Sequence, residues 1–326
     1  MGRTIRFNNA ANTFVQGNSV ENREVTLFML GGNDSVLLDR DDDFGGRNRV
    51  DAGGGADTVR ALDEDGSLIL LGGGADVYIG QGFGSFATER PDTVRGGGGA
   101  DTIIVTTFKS IYTGDGGRDT FFSFGQANSF HGGAGIDTMS YELRDDDAGA
   151  GGLRIDLGTG QVQTGANRIE TLRSIENIIG TNSSDTIFGS AGANRITGSG
   201  GDDFLTGRGG ADVFVWRNAA EAAFDAQNGD VILDFSQSQR DRIDLSGIDA
   251  VVGGGNDAFV FLGGGEFTGR AGQLRFGDRE ELGDIDGDSD NDFVTLLSGD
   301  VNGDGVADFG IRLLNVSSLN ASDLVL

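Results

Sequence analysis

From Ala87 to Ser140 the chain divides into six consecutive nine-residue units, ATERPDTVR, GGGGADTII, VTTFKSIYT, GDGGRDTFF, SFGQANSFH and GGAGIDTMS. The eighth position of each is apolar: Val94, Ile103, Tyr112, Phe121, Phe130 and Met139. Alternate units carry a glycine-rich turn that ends in aspartate at position six, which places Asp101, Asp119 and Asp137 at steps of 18 residues. A second in-frame block runs from Gly180 to Val215 as GTNSSDTIF, GSAGANRIT, GSGGDDFLT and GRGGADVFV, with Ile187, Ile196, Leu205 and Phe214 at position eight. Glycine permits a tight turn, aspartate supplies a hard oxygen, and the closing triplet reads as a short strand with one side chain turned inward. One such unit buries too little to fold, whereas stacked units share a continuous core.

These units resemble the nonapeptide repeat of RTX (hemolysin-type) calcium-binding proteins. The resemblance implies an all-β chain, a right-handed parallel β-roll (RTX β-solenoid) in which two units make one coil and several Ca2+ ions sit between turns of neighbouring coils. In the intervening units position six is Asp92, Ser110 or Asn128, in turns poor in glycine, so the ladder expected here is one-sided. The alternation reaches upstream with small insertions, through LGGGADVYI (Asp76), AGGGADTVR (Asp57) and a degenerate MLGGNDSVL (Asp34). In the second block Asp185 and Asp203 share one column while Asn194 and Asp212 occupy the other, which implies calcium on both faces.

Glycine supplies 59 of 326 residues, a composition that on its own suits a flexible linker. A linker, however, has no reason to keep an apolar residue in phase over long runs. The formal net charge of -27 opposes a compact metal-free state. Metal binding to a site absent from the unfolded chain contributes directly to folding, so the expected behaviour is folded with calcium and unfolded without it. Extracellular calcium modules bind at roughly 10⁻⁴ to 10⁻³ M, far above cytosolic free calcium, which places folding outside the cell. Nucleic acid is an unsuitable partner, because Lys109 is the only lysine and the arginines form no basic stripe. The glycine-rich runs are not phosphate loops, since none continues into GK[ST].

The chain has no cysteine, no apolar stretch near 18 residues and no hydrophobic signal-peptide core in MGRTIRFNNAANTFVQG, so no transmembrane segment is expected. With calcium-driven folding, this favours a secreted, extracellular protein exported by a C-terminal signal, and the RTX resemblance implies type I secretion machinery as a partner. The ending NASDLVL is similar to the terminal motif of serralysin-type proteases; it equally suits a final edge strand. The spacer Tyr141 to Ile179 offers a hairpin in LRIDLGTGQVQT and, in NRIETLRSIENIIGT, either a short helix or an irregular coil.

After Trp216 the nine-residue register ends, and the remainder resembles the C-terminal half of the serralysin calcium-binding domain, implying a β-sandwich-like cap. The expected organisation is N-terminal cap strands over 1–28, a first roll block over 29–140, the spacer over 141–179, a second block over 180–215 and the C-terminal domain over 216–326. Within the last, DVNGDGVAD sets Asp300, Asn302, Asp304 and Asp308 at positions 1, 3, 5 and 9 of an EF-hand-like loop with Gly305 at position six, but Ile311 stands where glutamate is expected. DIDGDSDND repeats the spacing through Asp284, Asp286, Asp288, Asp290 and Asp292 without the glycine.

Catalysis is not expected. HExxH is absent, His131 is the only histidine, and there is neither a GxSxG elbow nor a cysteine nucleophile. Paired carboxylates abound, but they stand where calcium is expected rather than in a shaped cleft. Trp216 reads as core. Two roles follow: a structural or interaction protein at the cell surface or in the extracellular matrix, and a noncatalytic glycan-binding or accessory module. The second role rests on a resemblance to the calcium rolls appended to mannuronan epimerases. An acidic polysaccharide partner would be met by Arg144, Arg154, Arg168 and Arg173.

Overall fold

A computed structural model of the protein describes residues 3–17, 24–38, 47–62, 66–82, 91–144, 151–165, 168–225, 228–253, 255–282, 284–285, 289 and 291–326. They form two compact units, Met1–Asp146 with Gly160–Asn177, and Asp147–Thr159 with Ile178–Leu326. No helix among the described residues is long and apolar enough to cross a membrane.

The first unit is a stack of coils, each contributing one short strand to each of two parallel sheets. One sheet runs through Thr13–Val15, Ser35–Leu38, Thr58–Ala61, Val77–Gly80, Thr102–Val105, Thr120–Ser123 and Thr138–Ser140. The other runs through Arg3–Arg6, Val25–Phe28, Arg49–Asp51, Leu68–Gly73, Thr93–Gly99, Ile111–Gly117 and Ser129–Gly135. Position eight of every unit lines up in register, as in Ile103↔Phe121↔Met139 and Val94↔Tyr112↔Phe130, and all six are buried. The strands alternate buried and half-exposed residues because successive side chains on a strand point to opposite faces. The core is thin, so aromatic rings fill it: Tyr112 stacks on Phe130 at 5.3 Å between centroids, and Phe121 meets Phe130 edge-on at 5.6 Å. The coils that precede the strict repeat are longer, with spacings of 23, 19 and 25 residues from Asp34 through Asp57 and Asp76 to Asp101.

Arg168–Arg173 closes this stack as a strand, neither the short helix nor the irregular coil expected: it pairs in parallel with Ser129–Gly135 and antiparallel with Gln161–Gly165. The spacing of Ile169 and Leu172 suits a helix turn, but the last coil presents unpaired backbone groups that a strand satisfies. Ile169 is consequently exposed, and Glu170 and Leu172 are the inward residues.

In the second unit the same two-sheet stacking continues past the end of the nine-residue spacing. Ile155, Ile187, Leu205, Ile232 and Leu313 form one inward column, and Ile196, Phe214, Ile243 and Leu324 the other. Trp216 is buried, as core. The C-terminal Leu324–Val325 is the last strand of its sheet, so the apolar ending seats against Ile243 and Asp244. A three-stranded antiparallel meander, Gln273–Leu282, Asp292–Asp300 and Phe309–Leu314, joins the stack through the pairing of its last strand with Val231–Ile232. This arrangement covers a roll edge that would otherwise offer free backbone groups.

Truncating Phe121, fully buried, to alanine is expected to destabilise the calcium-loaded protein by about 3–5 kcal/mol. Ile111→Ala, at a strand position that is 45% exposed, should stay within about 0.5 kcal/mol of the parent in the same denaturant titration.

Candidate metal centre

Each position-six residue donates its backbone N–H to the side-chain oxygen of the equivalent residue one coil further on. In the acidic column these bonds run Asp34→Asp57 (2.7 Å), Asp57→Asp76 (2.7 Å), Asp76→Asp101 (2.9 Å), Asp101→Asp119 (2.9 Å) and Asp119→Asp137 (2.8 Å). Asn12 begins the column by donating to Asp34, and Glu176 ends it by accepting from Asp137. The opposite column uses the same geometry with mostly neutral side chains: Asn48 donates to Ser67 (3.1 Å), Ser67 to Asp92 (2.6 Å), Asp92 to Ser110 (3.0 Å) and Ser110 to Asn128 (2.9 Å). A hydroxyl or amide oxygen therefore suffices to hold the turns together.

What the acidic column adds is a second oxygen on every coil, where the opposite column has a carboxylate only at Asp92. The Oδ2 atoms of Asp34, Asp57, Asp76, Asp101, Asp119 and Asp137 are buried and accept no hydrogen bond. A buried carboxylate oxygen without a donor costs free energy unless a cation meets it. The turn glycines leave room beside it. A Cβ on Gly114 would overlap Asp119 Oδ2 and lie 2.6 Å from the carbonyl oxygen of Gly132 on the next coil. Gly180 is enclosed in the same way by Asp185 Oδ2 and the Gly198 carbonyl. Carboxylate and main-chain carbonyl oxygens thus border one small space, a donor set that fits calcium and not a softer metal. Among the described residues no three His, Cys, Asp or Glu side chains converge, so a cation there would draw its other ligands from the main chain.

Electrostatics point the same way. Burial, reinforced by neighbouring carboxylates, raises Asp57 to about 6 and Asp101 to about 7 from an ordinary 3.8. Burial likewise lifts Asp76, Asp119 and Asp137.

In the second unit Asp203 and Asp212, one in each column, keep a buried Oδ2 without a partner, which gives both faces an open carboxylate. Burial together with the Asp230 carboxylate pushes Asp203 up to about 9, and burial raises Asp212 to about 7. Asp185 differs, because the Thr181 backbone N–H donates to its Oδ2 at 2.6 Å. Asn194 accepts from the Ser190 N–H at 2.7 Å.

Two ladder residues escape the nonapeptide pattern. Asp203 donates to Asp230 (2.9 Å) and Asp212 to Asp241 (3.0 Å), across 27 and 29 residues. Both close their columns, for Asp230 Oδ2 accepts the Trp216 indole N–H at 2.6 Å and Asp241 Oδ2 accepts the Ser236 N–H at 2.8 Å. Their signal in the sequence is an aspartate two residues before an inward apolar residue, Asp230 before Ile232 and Asp241 before Ile243, the offset that Asp203 keeps from Leu205.

Asp300, Asn302, Asp304 and Asp308 lie together in the loop between Asp292–Asp300 and Phe309–Leu314. Their oxygens accept backbone N–H groups of the same loop: Gly303 and Gly305 donate to Asp300, Asp304 to Asn302, Val306 to Asp304 and Val301 to Asp308. The loop is a self-satisfied acidic turn, unlike the ladder with its leftover oxygens. Of DIDGDSDND, Asp286, Asp288 and Asp290 lie outside the described residues. Arg144 does not offer a surface cation: it is buried and donates to the carbonyls of Gly125 and Thr164.

Calcium-induced folding should be weakened most by Asp119→Ala, less by Asp119→Asn, which retains an oxygen for the Asp101 N–H, and least by Ser110→Ala, which loses one hydrogen bond worth about 1 kcal/mol. Calcium titrations followed by circular dichroism check the order, and equal effects of Asp119→Ala and Ser110→Ala would refute the one-sided ladder. The carboxylate shifts also fix a pH dependence. A carboxyl group whose folded pKa is raised stabilises the fold below its unfolded value of 3.8, and that contribution is lost as pH rises through about 6 to 7 for Asp57, Asp101 and Asp212. The metal-free chain should therefore show more β signal near pH 4.5 than near pH 8, with the calcium requirement greatest at the higher pH.

The family model described as RTX calcium-binding nonapeptide repeat (4 copies) matches residues 45–68, 86–105, 111–139 and 179–214. No curated protein matches the chain. The matched stretches contain Asp57, Asp101, Asp119, Asp137, Asp185, Asp203 and Asp212, and with the stacked coils described above they show that this chain carries RTX calcium-binding nonapeptide repeats wound into a β-solenoid.

Proposed function

We propose that the protein is secreted, folds on meeting extracellular calcium, and then serves as a structural or interaction protein at a cell surface or in the extracellular matrix. The observation that carries this reading is the column of buried aspartate oxygens that no protein donor satisfies. Six carboxylates stacked one per coil oppose folding until a cation neutralises them, so the calcium level of the compartment sets where the roll forms. That logic suits export of an unfolded chain by type I secretion machinery and folding outside. It also supports a noncatalytic role, because the acidic side chains that hydrolytic chemistry would use are engaged in the ladder by their neighbours' backbone N–H groups.

A far-UV circular dichroism titration from chelator to about 10 mM calcium tests the reading. A cooperative gain of β signal is expected, whereas a chain already folded in chelator would overturn calcium-driven folding. Trp216, the one tryptophan, adds a local reporter, since its indole N–H is held by Asp230 at the end of a ladder column. Its fluorescence should shift over the same calcium range, and a Trp216 signal indifferent to calcium would separate the second unit from the transition.

A further inference from the structure

The antiparallel meander of the second unit carries a cleft that the ladder does not use. It is lined by Gly277, Asp278, Arg279, Phe293, Thr295 and Asn315, together with the two residues that follow, and holds about 350 Å³. That volume is at the small end of the roughly 300–1,000 Å³ typical of small-molecule sites. The cleft lies at a register shift between Gly277 and Arg279, where one extra residue is inserted opposite Thr295. Such bulges re-aim side chains. Here Asp278 takes a positive φ of 54° and turns back to pair with Arg275 at 2.9 Å, while Arg279 lies over the Phe293 ring, 4.2 Å from its centroid. On the far wall Asn315 also has a positive φ, 56°, and Thr295 Oγ1 donates to the Val316 carbonyl at 2.7 Å, which pins that wall.

Arg279 is the informative residue. Arg95, Arg195, Arg208, Arg217, Arg275 and Arg312 each pair with a carboxylate. Arg279 has no carboxylate partner among the described residues, a state it shares with Arg6 and Arg154, which also lie over aromatic rings; unlike them it lines the cleft. A guanidinium is a planar fork of donors that matches a carboxylate bidentately, and an aromatic ring beneath it fixes its plane. Beside it the cleft offers an amide at Asn315, a hydroxyl at Ser317 and the apolar surface of Phe293.

We propose that this cleft binds a small, hydroxyl-rich anion of hexuronate size, with Arg279 holding its acid group, Asn315 and Ser317 its hydroxyls, and Phe293 its C–H face. The site stands on the meander alone, independent of how many ladder positions hold calcium. Sugar acids and sugar sulfates share the anionic chemistry, and the choice of probes separates them.

Ligand-observed saturation-transfer NMR in about 10 mM calcium would compare galacturonate, galactose 6-sulfate and neutral galactose. Parent protein would be set beside Arg279→Gln and a control, Arg95→Gln, whose target pairs with Asp115 in the other unit. Galacturonate or the sulfate should give a signal that galactose does not, unchanged by Arg95→Gln and weakened roughly tenfold in affinity by Arg279→Gln, the size of one lost charge-assisted bond. Circular dichroism on the same samples reports the calcium-loaded fold. Galactose binding as well as its acid, Arg279→Gln binding like the parent, or no anion signal from folded protein would each overturn the site while leaving calcium-driven folding intact.

Discussion

The structure depends on one repeated hydrogen bond, from the backbone N–H of a turn residue to the side-chain oxygen of its equivalent on the next coil. It ties each turn to the following one, and it fixes the coil-to-coil register that brings Ile103, Phe121 and Met139 above one another. Without that register the thin core would lose its shared column, because a one-residue slip on a strand turns its apolar side chain out to solvent. The bond asks only for an acceptor on a short side chain, and Ser110 and Asn128 meet that demand as well as Asp119 does.

Each column ends on a carboxylate outside the nonapeptide pattern. In the first unit Glu176 receives the last N–H of the acidic column. Glu170 closes the neutral one, buried and held by Tyr141 Oη at 3.0 Å, Ser123 Oγ at 3.0 Å and Asn128 Nδ2 at 3.2 Å. Burial pushes its carboxyl up to about 7. In the second unit the closing residues are aspartates whose spare oxygens are consumed by Trp216 and Ser236. Columns therefore run open along the coils and are sealed by protein donors at these ends, which confines the leftover oxygens to the repeated turns.

Much of this was legible in the chain because the register encodes both halves of a coil at once. The apolar residue at position eight announced the core, and the aspartate at position six announced Asp34, Asp57, Asp76, Asp101, Asp119 and Asp137 as one column. What the register does not encode is the length of an insertion, so the ladder positions Asp230 and Asp241 were hidden by spacings of 27 and 29 residues although the aspartate-to-apolar offset persisted. The strand at Arg168–Arg173 was missed for a different reason: the spacing of Ile169 and Leu172 reads as a short helix or an irregular coil, and only the open edge of the preceding coil makes the segment a strand. The cleft beside Arg279 was invisible, since it brings together three separate segments at a single extra residue opposite Thr295.

The contrast between the two columns of the first unit argues for what the acid is for. Residues one coil apart sit at about strand spacing, ~4.8 Å, where like charges repel by roughly 3 kcal/mol at an effective dielectric near 20. Repeated along the six aspartates, that repulsion rivals the 5–15 kcal/mol by which an ordinary domain is stable. The opposite column, where Asp92 stands between Ser67 and Ser110, accomplishes the same backbone tie without adjacent like charges. An acidic column kept for structure alone would thus weaken the fold it holds, and the second oxygen on each aspartate makes sense only if something positive meets it. A proton can do so in acid, and calcium can do so at neutral pH; the turns leave main-chain carbonyls beside the carboxylates, which a proton does not need and a calcium ion does.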